Sequence, residues 1–168
     1  MRFRVIELVW LALLGALLVI VQVALAFLPN IELVSLLVYV YAKLYGKKAL
    51  VPVYLFALLE GIVYGFTIWW VTYLYVWTIL VFISILVKHE ESMIICAIVI
   101  SLFGLSFGLL CSIPTFLIAG PGAGISFFVA GIPFDMAHFA GNLATAIALY
   151  YPVYSALKYT KRLCYNFS

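Results

Sequence analysis

Asp135, His138 and Asn142 are separated by three, four and seven residues, so on a helix they share one face. An acid, an imidazole and an amide in that register can accept and donate hydrogen bonds to a ligand, or pass a proton between neighbours. The residues between them are apolar or small. Two further carboxylates, Glu32 and Glu60, stand in similarly apolar surroundings. Ionisable groups at membrane depth cost a few kcal/mol each and face the protein interior or a wet cavity when they occur. The plainer reading of the stripe is a structural polar contact, in which Asp135 accepts from His138 and Asn142 bridges helices.

Other chemistries fit the residues less well. Only two histidines are present. Asp135 and His138 would give a metal two ligands from one helix, with no third or fourth at metal-site spacing, so no metal site is expected. Gly104-Leu105-Ser106-Phe107-Gly108 matches the G-x-S-x-G pattern of serine hydrolases, which makes an intramembrane serine hydrolase the remote alternative. That elbow needs a sharp strand-to-helix turn, whereas here the motif lies inside an apolar segment. Gly104 and Gly108 read better as a small-x-x-x-small pair that lets two helices approach. No G-x-x-x-x-G-K-[ST] phosphate loop occurs, and no catalytic residues are assigned.

The elements that must position these groups follow from composition and charge. The chain has 168 residues, 68% hydrophobic and 9% charged, against about one quarter charged in soluble proteins. Its nine Lys and Arg residues fall into four clusters: Arg2 and Arg4; Lys43, Lys47 and Lys48; Lys88; and Lys158, Lys161 and Arg162. Cytoplasmic Lys and Arg set membrane orientation. Six crossings place every cluster on the cytoplasmic side and leave the connections near 28–31, 66–72 and 119–131 without a cation.

The expected fold is therefore an all-α membrane protein, a six-transmembrane-helix bundle with both termini cytoplasmic. Its helices cover about 5–28, 31–45, 49–66, 72–87, 92–118 and 132–157 as a single integral membrane domain. Gly120-Pro121-Gly122-Ala123-Gly124 reads as a flexible outer loop, and Pro133 as a first-turn proline of the sixth helix. Ala24-Leu25-Ala26 resembles a signal-peptide cleavage site, but the preceding apolar run exceeds the usual signal core and is expected to stay. Three cysteines give no disulfide framework. The scattered cations form no continuous basic surface, so nucleic acid is not an expected partner.

Depth then gathers the costly residues together. Glu60 is twelve residues past Lys48, roughly 18 Å along a helix and so in the outer half. Glu32 opens the second helix, and Asp135 lies one turn inside the sixth. Asn30, Tyr64 and Tyr73 fall in the same half, and carboxylates, an imidazole and rings together suit an organic ligand in a cavity. No Lys or Arg lies there to pair with a strongly anionic one.

At this point the sequence resembles a known family. The six short helices, the A-x-x-x-A patch of Ala12 and Ala16, and the P-F-D-x-x-H-x-x-G-N segment from Pro133 to Asn142 look like the substrate-binding S component of an energy-coupling factor (ECF) vitamin transporter. The resemblance covers essentially the whole chain, and its sixth-helix segment is the most specific part. It implies a prokaryotic plasma-membrane protein that is not an enzyme and that binds a vitamin or related small organic micronutrient from outside. It implies partnership with a T protein, met through Ala12 and Ala16, and with two cytosolic ATPases that use the ATP; no cofactor is implied in this chain. The substrate would contact Asp135, His138, Asn142, Glu60, Glu32, Asn30, Tyr64 and Tyr73. The alternative is a stand-alone, proton-coupled secondary transporter with Glu60 or Asp135 as its proton site.

Overall fold

The computed structural model describes residues 4–28 and 31–166, with side chains as far as Cys164. In chain order the elements are α1 (Val5–Ala24), α2 (Val34–Tyr45), a short 3-10 helix (Gly46–Ala49), α3 (Leu50–Tyr64), α4 (Ile68–Leu86), α5 (Met93–Ala119) and α6 (Pro121–Asn166). No strand occurs among the described residues. The protein is all-helical.

Four of these helices, α1, α4, α5 and α6, are long and apolar enough to cross a membrane. The other two contain 12 and 15 residues, a rise of about 18 and 22 Å, against a hydrocarbon core of about 30 Å. Helix length alone therefore gives four spans where charge patterning predicts six crossings.

The short α2 is the centre of the bundle. Ten of its twelve residues are buried, as befits a helix that is apolar on every side, and it packs against α4, α5, α6 and α1. Tyr41 fixes its height by donating to the Leu14 carbonyl of α1 at 3.2 Å. On the outside the pattern inverts, with large apolar side chains such as Leu86, Leu117 and Ile118 exposed.

Helix boundaries depart from expectation most at the α5–α6 hairpin. The glycine-rich stretch from Gly120 to Gly124 is not a loop: Gly120 alone breaks the chain, with φ +90°, and α6 starts at Pro121 rather than near 132. Proline suits a first helical turn because its φ is preset and its missing N–H would be unpaired there. Gly124 donates its backbone N–H to Gly120 at 3.1 Å and lets α5 close in, since a Cβ on it would lie 2.5 Å from that of Phe116. Pro133 consequently falls inside α6 instead of at its start, and the helix continues to Asn166 rather than stopping near 157. Smaller shifts affect α1, which ends at Ala24 rather than 28, and α4, which begins at Ile68 rather than 72.

One end of the bundle collects the cations. Lys48 pairs with Glu7 at 2.6 Å, Lys43 donates to the backbone carbonyls of Val87 and Glu90, Lys161 donates to the Leu44 carbonyl, and Lys158 pairs with Glu91 at 3.0 Å. These bonds tie together the start of α1, the turns after α2 and α4, and the end of α6.

Candidate ligand-binding site

The opposite end contains a cavity of about 480 Å³ bounded by α1, the approach to α2, α3, α4, α5 and α6. Its size falls in the range of small-molecule sites, roughly 300–1,000 Å³. Two sets of groups define its chemistry.

The first is an aromatic wall. Trp69, Tyr73 and Trp77 are spaced four residues apart on α4 and therefore point to one side. Successive ring centroids lie 5.1 and 5.6 Å apart, nearly perpendicular. Tyr64 extends the series at one end, 6.5 Å from Trp69. Phe107 of α5 extends it at the other, 5.9 Å from Trp77, and the His138 ring follows at 5.1 Å. All six rings line the cavity. Phe56 supports the wall from behind, at 5.8 Å from Tyr73 and 5.9 Å from Trp77.

The second set is acidic. Glu32 lies just before α2 and works with both oxygens: Oε2 accepts from the Ser35 backbone N–H at 2.8 Å, satisfying a donor of the first helical turn. Oε1 pairs with His138 Nε2 at 3.1 Å. Glu60 is only 2% exposed, and its Oε1 has no hydrogen-bond partner among the described residues. It sits where α3 turns into α4. The neighbouring Gly61 lets that turn close, because a Cβ there would come within 2.6 Å of Phe66 and Trp70 ring atoms. Trp70 then locks the turn by donating to the Ala57 carbonyl at 2.7 Å.

Five of the expected site residues thus meet in one place: Glu32, Glu60, Tyr64, Tyr73 and His138. Asp135 and Asn142 do not line the cavity. They share the face of α6 that carries His138, but they point into the seam with α5. Asp135 Oδ1 accepts from the Gly108 backbone N–H at 2.8 Å, and Asn142 Nδ2 donates to the Ile100 carbonyl at 2.8 Å. Gly104 and Gly108 make the room. A Cβ on Gly108 would lie 2.5 Å from Asp135 Oδ2, and one on Gly104 2.9 Å from Asn142 Nδ2. Asn30 lies outside the described residues.

Trp69, Trp77 and Phe107 join the site without having been singled out for it. The four-residue repeat 69, 73, 77 was the available signal, but it reads equally as an interfacial aromatic belt. Tyr75, on another face of α4, donates to the Leu110 carbonyl at 2.5 Å.

Two other expectations have clear positions. Ser106 lies mid-helix in α5 and donates to the backbone carbonyls of Leu102 and Phe103 at 3.0 and 2.9 Å, a helical hydroxyl without the turn a nucleophile elbow needs. On α1 it is Gly15 that packs against α3, a Cβ on it meeting Leu55 and Pro52 at about 3 Å. Ala12 is exposed and Ala16 half-buried.

The chain matches no family model, no curated protein and no solved structure.

Proposed function

We propose that this chain is the substrate-binding S component of an ECF-type importer, taking up a vitamin or related small organic micronutrient. The observation that carries this reading is the aromatic-walled cavity at the end of the bundle opposite the gathered cations, lined by Glu60, whose Oε1 has no hydrogen-bond partner among the described residues. Cations mark the cytoplasmic side of a membrane protein, so the cavity opens outward and both termini lie inside.

Several features support the arrangement. Gly108, against which Asp135 rests, is fifteen residues past Met93, about 22 Å from the inner end of α5 and in the outer half of a membrane about 30 Å thick. In this reading α2, buried among its longer neighbours, and α3, which exposes an apolar face carrying Leu58, Ile62 and Val63, complete the six crossings. Ligand enters from outside and rests between the rings of α4 and Glu60, with Glu32 and His138 at its edge. Delivery inward needs an energised partner: a T protein that meets α1 on the side of Ala12 and Ala16, and two cytosolic ATPases that hydrolyse the ATP. The chain itself does no covalent chemistry.

Purification of the tagged chain from its native membranes tests this assignment. A membrane protein and two ATPases should co-purify, and ligand uptake into proteoliposomes should require all of them and ATP. Uptake by this chain alone, driven by a pH gradient, would instead establish the proton-coupled carrier.

A further inference from the structure

The cavity's charge and its rings are not matched by anything in the cavity itself. Among the described residues two carboxylates line it, and no Lys or Arg does. Glu32 has partners in His138 and the Ser35 N–H. Even a fully protonated His138 balances only one of the two acids. Glu60 is the remainder, almost completely buried, with no hydrogen-bond partner for Oε1 among the described residues. An ionised carboxylate buried without a partner is strongly unfavourable, and either neutralisation or a positive, hydrogen-donating group beside it relieves that cost. Tyr73 lines the same cavity as Glu60 and Glu32, and it is flanked by Trp69 and Trp77. Rings attract cations through their negative faces, most strongly when water is excluded. They also stack on a flat ligand.

We propose that the ligand is an organic monocation carrying an aromatic or heteroaromatic ring, its charge held by Glu60 and its ring by Trp69, Tyr73 and Trp77. This deepens the ligand-binding reading above and rests on it. An anion would meet two carboxylates and no cation. A neutral ring would stack but leave Glu60 uncompensated. A small inorganic cation would leave most of the cavity and its six rings unused.

Three water-soluble probes of one ring skeleton separate these cases: 1-methylnicotinamide as cation, nicotinamide as neutral form and nicotinate as anion. Equilibrium dialysis against the full chain in detergent should give 1-methylnicotinamide an affinity about tenfold above that of nicotinamide, with nicotinate weakest. Glu60→Gln keeps the shape of the side chain and removes its charge; it should weaken 1-methylnicotinamide far more than nicotinamide and so abolish the preference for the cation. Equal or tighter binding of nicotinamide or nicotinate, no binding of the cation at millimolar concentration, or an equal loss of both ligands in Glu60→Gln would overturn the assignment. Co-purification with a T protein and ATPases does not depend on ligand charge. Its failure would remove the transporter reading, whereas failure of the probe series would remove only the cationic ligand.

Discussion

His138 Nε2 lies 3.1 Å from Glu32 Oε1 and joins the lead-in to α2 to the middle of α6 across 106 positions of sequence. The same carboxylate caps α2 through the Ser35 N–H, so one side chain sets both where the central helix begins and how it meets α6. The pair stands at the edge of the cavity, where closing the site and stabilising the fold involve the same contact.

A double-mutant cycle reads that contact directly. Glu32→Gln and His138→Ala should each destabilise the purified protein, and their combination should cost less than the sum by about 1 kcal/mol, a typical coupling for polar contacts within a membrane. Strict additivity in thermal unfolding would show that the two residues act independently.

Gly108 and Asp135 form the second test. A methyl group at Gly108 would lie 2.5 Å from Asp135 Oδ2 and 2.8 Å from Oδ1, displacing the carboxylate from the backbone N–H it accepts. Gly108→Ala should cost about 2 kcal/mol of stability, within the range for overpacking a tight seam. Asp135→Asn retains an acceptor for Gly108 and should leave ligand affinity nearly unchanged, because Asp135 does not line the cavity. A large loss of binding in a folded Asp135→Asn protein would place Asp135 in the site after all.

Trp77 couples the cavity to the core. Its ring contacts Phe56, Tyr73, Phe103 and Phe107 and is 2% exposed. Trp77→Ala should cost about 3 kcal/mol and weaken ligand binding together with stability. Trp69→Ala, at a half-buried position, should lower binding with little change in the unfolding midpoint. The contrast between the two, measured by dialysis and thermal unfolding, distinguishes a wall that only holds the fold from one that also holds a ligand.

Acid sensitivity should arise at the other end. Hydrogen bonds from Tyr154 and Lys158 hold the Glu91 carboxyl below its ordinary value. A depressed acid contributes stability above its unfolded pKa, about 4.3 for glutamate, and that contribution is lost as pH falls through the lower folded value. Glu91→Gln should therefore remove part of the decline in unfolding temperature below about pH 4 and change little at neutral pH. An acid limb identical in wild type and variant would show that this exposed pair does not hold the tail of α6.

Much of this arrangement was legible in the residues. Two of the four cation clusters meet at one end, through Lys43 and Lys48 from one and Lys158 and Lys161 from the other. The 3–4–7 spacing placed Asp135, His138 and Asn142 on one face of α6. Spacing could not say which neighbour each would meet, because that depends on how α5 rotates against α6. The signal for that rotation was the Gly104–Gly108 pair, whose missing side chains admit Asn142 and Asp135 and leave His138 facing the cavity. The hairpin misled for a physical reason: five residues rich in glycine look like a loop, yet one positive-φ glycine suffices to turn the chain when proline starts the next helix. The short α2 was legible at its end, Tyr45, and begins at Val34 rather than near 31.

Native mass spectrometry of the gently purified full chain tests the central claim most directly. The wild type should carry one small organic molecule per chain. Asp135→Asn should retain it, and a folded Glu60→Gln, Tyr73→Ala double variant should lose it. A wild-type chain without any bound molecule, or a double variant that keeps it as tightly as the wild type, would contradict the proposed cavity as the site of substrate capture.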